Sequence, residues 1–311
     1  MTDRGARGRR ATDPGDGVRT AGLLNRSHTV DVMYGREPRD RAGRFGGMSR
    51  RRRVLGIAVA LIVVAGAAGA AVAATQHGSD TPADRPAHAS GPPQNRPGPV
   101  LLVPGYGGST GALDVLASRI RATGRQATVL HLAGNGTGSL VAEARQLNAA
   151  VSRALADGAP SVDVVGYSAG GVVALIWARR DDGFAKARRI VTLGSPFHGT
   201  QLAAAAEALD PSACPAACRQ LIPGSPILTS LHVSSAAGLP RWESLWTTGD
   251  MVVTPPDSAS LPGAIDVPVQ SVCPAVRLTH SQLPTSPVVM TMVVQALGPG
   301  PLRHPTTADC S

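Results

Sequence analysis

Ser168 stands at the centre of a pentapeptide with glycine at both ends, Gly-Tyr-Ser-Ala-Gly over residues 166–170. A β-rich run, Val-Asp-Val-Val over residues 162–165, precedes it and an apolar helical pattern follows it, which predicts a strand, a sharp turn and a helix. Flanking glycines suit such a turn because a Cβ there would collide with neighbouring elements. The turn exposes the hydroxyl beside a helix N-terminus, where developing negative charge is stabilised. We therefore predict that Ser168 is a catalytic nucleophile.

A nucleophile in this type of turn is followed along the chain by an acid and then by a histidine. His280 lies in a loop between the last predicted strand and the last predicted helix, at the same sheet edge as Ser168. We predict that it is the base. Of the other candidates, His198 follows its strand too closely for an acid to precede it, His232 lies in an irregular stretch, and His304 lies in the tail. The alternative interpretation of these three histidines is that they are polar surface residues or form structural hydrogen bonds.

Asp250 is the predicted acid. It follows a predicted strand through Thr-Gly, at the strand end where a carboxylate can orient an imidazole. Asp257 is the second choice, and either residue could instead be a solvated turn aspartate. Asp210 and Asp266 complete the candidates after Ser168.

Two backbone N–H groups are predicted to bind the oxyanion. The residue after the nucleophile, Ala169, supplies one, and Tyr106 in the glycine-rich loop 103–109 supplies the other. A phosphate-binding loop is excluded because this loop has no cation and no Gly-x-x-x-x-Gly-Lys pattern. We predict neither a metal nor an organic cofactor.

Alternating strands and helices must position these residues. The predicted strands cover residues 99–104, 126–132, 161–165, 189–193, 242–247 and 267–272, and the first helices cover residues 112–122, 140–156 and 171–179. A last helix begins after Ser286 as N-cap, with Pro287 at its first position, and ends before Gly298. This alternation implies parallel crossovers and hence a three-layer α/β sandwich with a mostly parallel central sheet. Residues 201–240 interrupt the alternation.

The positive charge lies outside the predicted folded part. The net charge is +9, but residues 1–53 hold 14 Arg and 6 acidic residues, whereas residues 97–311 hold 14 basic and 13 acidic residues. A nearly neutral domain offers no basic surface for a phosphate backbone, which excludes nucleic acid as a partner. We expect a monomer acting on a small molecule or a lipid.

The first 98 residues are predicted to form a tail, an export segment and a linker. Residues 1–53 have too few apolar clusters to fold, residues 75–98 form a Pro-rich linker, and residues 99–311 form the domain. The uncharged run 54–74 has two interpretations, and either one implies that the domain is exported. Read from Met48 it resembles a cleaved signal peptide, whereas read from Met1 it is a membrane anchor behind a basic cytoplasmic tail. The domain is thus secreted, or held at the cell membrane with its catalytic part outside.

Four cysteines, all in the exported part, favour two disulfides. Three connectivities exist. We favour Cys214 with Cys218, because residues four apart can meet on a helical turn, and Cys273 with Cys310, which would fasten the C-terminal tail. A structural zinc site is excluded because the spacing has no Cys-x-x-Cys pair.

These motifs resemble the secreted bacterial lipases of the α/β-hydrolase superfamily, including the class 2 or triacylglycerol lipases. The matching residues are 103–108, 166–170, 192–200, 249–253, Pro255 and His280, within a region that spans 99–297. The most specific part is Gly-Ser-Pro-Phe-His-Gly-Thr at 194–200, which the triad itself does not require. One departure is Pro104 before Gly105, where many such lipases have histidine.

The resemblance implies an α/β-hydrolase fold with a small cap at about 201–240, and hydrolysis of acyl esters, including lipids, through an acyl-enzyme. In it, Ser168 attacks, His280 takes the proton and Asp250 stabilises the imidazolium. Alternatives within the class are a short-chain carboxylesterase, a polyesterase or an acyltransferase. An alternative outside it is a non-catalytic binding module at the cell surface, which would leave an intact serine, acid and histidine set unused.

Overall fold

Six parallel strands form one sheet at the centre of the fold. The computed structural model describes residues 91–231, 239 and 241–310, and within these residues the strands lie in the order β2-β1-β3-β4-β5-β6. All neighbouring strands are parallel. The strands are β1 Val100–Val103, β2 Ala127–Val129, β3 Val162–Tyr167, β4 Ala187–Leu193, β5 Trp242–Trp246 and β6 Ile265–Pro268.

Helices connect the strands and cover both faces of the sheet. They are α1 Gly111–Arg121, α2 Leu140–Ala156, α3 Ala169–Arg180, α4 Gly183–Lys186, α5 Gln201–Leu209, α6 Ala216–Gln220, α7 Pro226–Ser230, α8 Val269–Val272 and α9 Pro287–Ala296. Helix α1 connects the neighbouring strands β1 and β2, α3 follows β3 on the way to its neighbour β4, and α2 leads from β2 past β1 to β3. Parallel strands need long connections of this kind.

Strand β1 shows how the core divides into two layers. Val100 and Leu102 pack into one apolar cluster with α1 and α9, whereas Leu101 and Val103 pack into the other with α2 and α3. Successive residues of a strand point to opposite faces, so a sheet that is apolar in every position is buried on both sides. The predicted three-layer α/β sandwich with a mostly parallel sheet is confirmed.

The last predicted strand is wrong in its second half. Strand β6 begins earlier, at Ile265, and ends at Pro268, after which Val269–Val272 forms the short helix α8. Proline lacks the N–H that a strand ladder needs, and Val269 and Val272 are both buried, three residues apart, as on one face of a helical turn. Helix α2 has the predicted bounds, and Pro287 begins α9 as predicted.

A buried ion cluster lies at the end of the sheet where the strands begin. Asp163 of β3 accepts hydrogen bonds from Arg188 Nη2 at 2.5 Å and from Arg125 Nη2 at 2.7 Å. Arg188 also donates to the carbonyls of Gln94, at 3.1 Å, and Leu297, at 2.7 Å. Pairing and hydrogen bonding make the burial of these charges tolerable. The cluster ties the segment before β1 and the end of α9 to the middle of the sheet.

Both favoured disulfides are present. Cys214 bonds to Cys218 with their Cα atoms 5.2 Å apart, and Cys273 bonds to Cys310 with their Cα atoms 5.7 Å apart. The predicted connectivity is confirmed. The first bond lies just before and within α6, and the second fastens the C-terminal tail beside α8.

Several predictions lie outside the described residues. They concern the tail 1–53, the apolar run 54–74, His232, and parts of the linker 75–98 and of the stretch 201–240. In the described ranges, no helix has both the length and the apolar character needed to cross a bilayer. The same ranges contain no group of His, Cys, Asp and Glu side chains suited to hold a metal ion.

Candidate active site

Ser168 occupies a strained turn between β3 and α3. Its backbone has φ 54° and ψ −126°, a conformation that side-chain-bearing residues rarely adopt. Glycine is required on both sides. A Cβ on Gly166 would lie 2.5 Å from the Cα of Gly171, and one on Gly170 would collide with the carbonyl of Val103. Close packing of the strand, the helix and the β1 loop therefore forces the serine into this conformation.

The carboxylate of Asp250 is held by its own loop. Asp250 follows β5, and its Oδ1 accepts hydrogen bonds from the N–H groups of Val252, at 2.9 Å, and Val253, at 2.8 Å. The side chain is buried. These two bonds satisfy one oxygen and fix the direction of the other.

His280 forms a hydrogen bond with the second oxygen of Asp250. Its Nδ1 lies 2.7 Å from Oδ2 of Asp250, and both side chains are buried. An ionised carboxylate only accepts, so Nδ1 carries the proton and Nε2 is the nitrogen with a free lone pair. A capping box between Thr279 and Gln282 holds the 3-10 turn that His280 begins. The chain thus presents an oriented imidazole with a neighbouring buried acid.

Gly194 lies between this pair and the serine strand. Ser168 donates its N–H to the carbonyl of Leu193 at 2.8 Å. A Cβ on the next residue, Gly194, would lie 3.2 Å from His280 Nδ1 and 3.3 Å from Asp250 Oδ2. The three predicted triad residues come after β3, β5 and β6 at the same sheet edge, and Gly194 at the end of β4 lies between the serine and the pair. Within the described part of the chain, no hydrogen bond joins Ser168 Oγ to His280.

The other candidate acids have different surroundings. Asp257 is exposed in a 3-10 turn. Asp266 accepts hydrogen bonds from Trp246 Nε1 and Ser260 Oγ, and Asp210 accepts from the N–H of Ser212. The structure brings none of these three against the imidazole of His280.

The remaining candidate histidines are bonded to backbone carbonyls. His198 Nδ1 lies 3.2 Å from the carbonyl oxygen of Ser258, and His304 Nδ1 lies 2.8 Å from that of Pro305. These contacts agree with their alternative reading as hydrogen-bonding side chains.

The loop after β1 packs directly against the serine. A Cβ on Gly105 would lie 2.9 Å from the Cβ of Ser168, so only glycine allows this approach. Gly108 donates to the carbonyl of Gly105 at 3.0 Å and closes the loop. The N–H groups of Tyr106 and Ala169 make no hydrogen bond to any other described residue. Both donors are therefore unpaired within the described residues.

Tyr167 is a neighbour of the imidazole that sequence reasoning missed. Its ring centroid lies 5.1 Å from that of His280, with 32° between the planes, and its hydroxyl donates to the carbonyl of His280 at 3.3 Å. Burial, and then the negative charge of Asp250, raise the pKa of Tyr167 to about 12. The only feature of the sequence that could have pointed to Tyr167 is its position inside the pentapeptide 166–170.

Thr200 is a second missed residue, at the end of the Gly-Ser-Pro-Phe-His-Gly-Thr stretch. Its hydroxyl donates to the carbonyl of Val252 at 2.6 Å and accepts from the N–H of Thr254 at 3.1 Å. It also accepts from the N–H of Leu202 and so caps α5. One side chain therefore fastens the loop that carries Asp250 to the start of α5.

Comparison with known proteins bears on the fold of the chain. No family model and no curated protein matches the sequence. Aspergillus fumigatus lipase B is similar in structure with a TM-score of 0.58 and 18% identity, over 70% of this chain and 57% of that one. Bacillus licheniformis lipase BlEst2 in its propeptide form gives a TM-score of 0.50 and 20% identity, over 68% of this chain and 52% of that one. The chain has the α/β-hydrolase fold.

This chain spans little more than half the length of either similar structure. In the α/β-hydrolase fold the loops after the parallel strands meet at one edge, where a nucleophile, an acid and a histidine can converge. Membership of the class 2 lipases, to which the motifs pointed, stays a prediction.

Proposed function

We propose that the chain is a serine hydrolase that cleaves carboxylic acyl esters, with lipids as substrates. The observation that carries the proposal is the buried pair of His280 and Asp250 at the sheet edge where Ser168 occupies a strained turn. Both similar structures are named lipases, which supports the same class of reaction.

In the first half of the reaction, Ser168 Oγ attacks the ester carbonyl carbon while Nε2 of His280 takes the hydroxyl proton. Asp250, held by two N–H groups of its own loop, stabilises the imidazolium. The N–H groups of Tyr106 and Ala169 bind the oxyanion of the tetrahedral intermediate. The intermediate collapses, the imidazolium gives its proton to the departing alkoxide, and an alcohol leaves.

In the second half, water replaces the alcohol. Its proton passes to His280 as its oxygen attacks the acyl-enzyme, and Ser168 Oγ leaves with the proton returned by the imidazolium. The products are a carboxylic acid and free enzyme. No step calls for a metal or an organic cofactor.

The stretch 201–240 is proposed as a cap over the substrate. Its described part holds α5, α6 and α7, and it is attached to the loop before α2. Gln220 Oε1 accepts from the N–H of Leu140 at 2.8 Å, and Ala217 donates to the carbonyl of Thr137 at 3.2 Å. We further propose that the enzyme works outside the cytoplasm, where two disulfides persist.

The test is hydrolysis of p-nitrophenyl esters from two to sixteen acyl carbons by the full-length oxidised chain. We expect an optimum at eight carbons or longer, and a fall of about 10³-fold or more in kcat for Ser168→Ala, since the nucleophile acts with its partners as a unit. A short-chain optimum would replace the lipid assignment with a carboxylesterase. Equal activity of the folded variant would refute the proposed nucleophile.

A further inference from the structure

Tyr167 joins the nucleophile to the base through one residue. It is the last residue of β3, directly before Ser168, and it pairs in register with Leu193 of β4. Its side chain reaches across to His280, which is distant in sequence. The backbone that sets the position of the serine therefore also carries a ring that contacts the imidazole.

We propose that Tyr167 is a positioning residue for His280: its ring supports the imidazole from one side while its hydroxyl holds the backbone of the same histidine. This inference rests on the proposed function, because it assigns the imidazole a catalytic proton transfer.

Two contacts of different strength fix the histidine. The hydrogen bond from the Tyr167 hydroxyl to the carbonyl of His280 is 3.3 Å long, which is weak for an O–H donor. The ring centroids lie 5.1 Å apart with the planes tilted by 32°, within the range of favourable aromatic pairs. The ring contact therefore carries most of the effect, and the hydroxyl adds a smaller part.

The ring is also close enough to interact with the imidazolium that the proposed reaction forms, with centroids 5.1 Å apart. An imidazolium over the face of an aromatic ring is stabilised by the ring quadrupole. Among the described titratable side chains, Asp250 bonds to Nδ1 of the imidazole and Tyr167 contacts its ring. The phenol stays protonated at working pH because burial and the Asp250 charge keep its pKa high. It therefore adds no second negative charge beside the pair.

The test compares Tyr167→Phe with Tyr167→Leu in the full-length chain. Phenylalanine keeps the ring and should retain kcat to within about threefold on p-nitrophenyl butyrate, since only the weak hydrogen bond is lost. Leucine keeps apolar volume but loses the ring, and should lower kcat by about 10- to 50-fold with KM changed less than about twofold. The acid limb of its kcat/KM profile should move to lower pH by about 0.5 unit.

Phe184→Leu is the matched control, because Phe184 lies on α4 and contacts Trp242 rather than the site. It should leave kcat and the pH profile unchanged. Thermal unfolding of all variants separates loss of fold from loss of positioning. Wild-type kcat and an unmoved acid limb in folded Tyr167→Leu would overturn the proposal, as would a loss in Tyr167→Phe equal to that in Tyr167→Leu.

A second readout does not depend on ester hydrolysis. The pKa of His280 is measured by NMR of the imidazole nitrogens in wild type and in Tyr167→Leu. A lower pKa in the leucine variant supports the ring contact, whether or not the protein hydrolyses any of the esters tested. Failure to hydrolyse every ester would count only against the proposed function. An unchanged pKa overturns the positioning role even if the wild type is active.

Discussion

Gly194 packs its backbone against both members of the Asp250–His280 pair. Its φ is +55°, and a Cβ there would meet Leu283 Cδ1 at 2.7 Å, besides His280 and Asp250. Replacement by alanine therefore adds a steric displacement to the backbone strain of a left-handed residue. At the scale of a single residue, the absence of a side chain preserves the geometry of the pair.

We expect Gly194→Ala to lower kcat by about 10-fold or more, because a small shift of a catalytic group is costly. Gly124→Ala is the control, since Gly124 has φ +85° but open space where a Cβ would be built. Both variants should lose about 1 kcal/mol of unfolding free energy to backbone strain. Only Gly194→Ala should lose activity, measured as kcat alongside urea unfolding. Equal kcat values in the two variants would contradict this account.

At the scale of elements, α5 and the loop after β5 are joined through the hydroxyl of Thr200. Thr200→Val preserves shape but removes the bonds to Val252, Thr254 and Leu202. We expect a loss of about 1–2 kcal/mol in unfolding free energy from the missing cap and the unpaired groups. Because the same loop orients Asp250, kcat should fall as well.

Thr200→Ser supplies the comparison, because serine retains the hydroxyl. It should keep most of the stability and most of kcat, as measured by thermal unfolding and ester hydrolysis. A valine variant with reduced stability but unchanged kcat would show that the cap and the acid loop are independent.

Local patterns in the sequence predicted the elements better than the contacts between them. Buried runs predicted β1, β3 and β4, and chain order selected Asp250 and His280. The strand predicted at 267–272 failed because apolar residues three apart fit a helical turn as well as a strand, and Pro268 ends β6. The roles of Tyr167 and Thr200 depend on partners from other strands and loops, which no local pattern contains.

Across the whole molecule, the two ends of the sheet serve different purposes. The strand ends that lead into loops carry the candidate site, whereas residues near the strand starts include buried ionisable groups. Glu243 of β5 is fully buried, and neither of its carboxylate oxygens has a hydrogen-bond partner among the described residues. Burial raises the pKa of Glu243 to about 8 against the opposing positive charges of Arg189 and Arg303.

This shift makes stability depend on pH. Between pH 4.5, the ordinary pKa of the carboxyl, and about 8, Glu243 is ionised in the unfolded chain and protonated in the folded one. The folded state then binds the extra proton, so the contribution of Glu243 to unfolding free energy falls as pH rises through this window. Above it, ionised Glu243 destabilises the fold.

We expect Glu243→Gln, which is neutral at every pH, to remove that part of the dependence. Its stability should match the wild type near pH 4.5 and exceed it at pH 9 by on the order of a few kcal/mol, measured by urea unfolding at both pH values. Glu143, whose pKa burial raises to about 7, is present in both proteins and cancels in the comparison. Parallel pH curves for the two proteins would rule out a buried neutral Glu243.

The ion cluster around Asp163 also determines how a mechanical load would enter the domain. A pull on the chain ahead of residue 91 first meets Gln94 and Gly98, whose carbonyls are held by Arg188 and Arg125. Both arginines bond to Asp163, so the force is shared with β3, with β4 through Arg188 and with the segment before β2 through Arg125, before it reaches β1. Ser168 lies five residues after Asp163, just past the end of β3, roughly 17 Å away at 3.3 Å per strand residue. If the chain were tethered through residues ahead of 91, tension would fall on one end of the sheet while the end that carries Ser168 stayed unloaded.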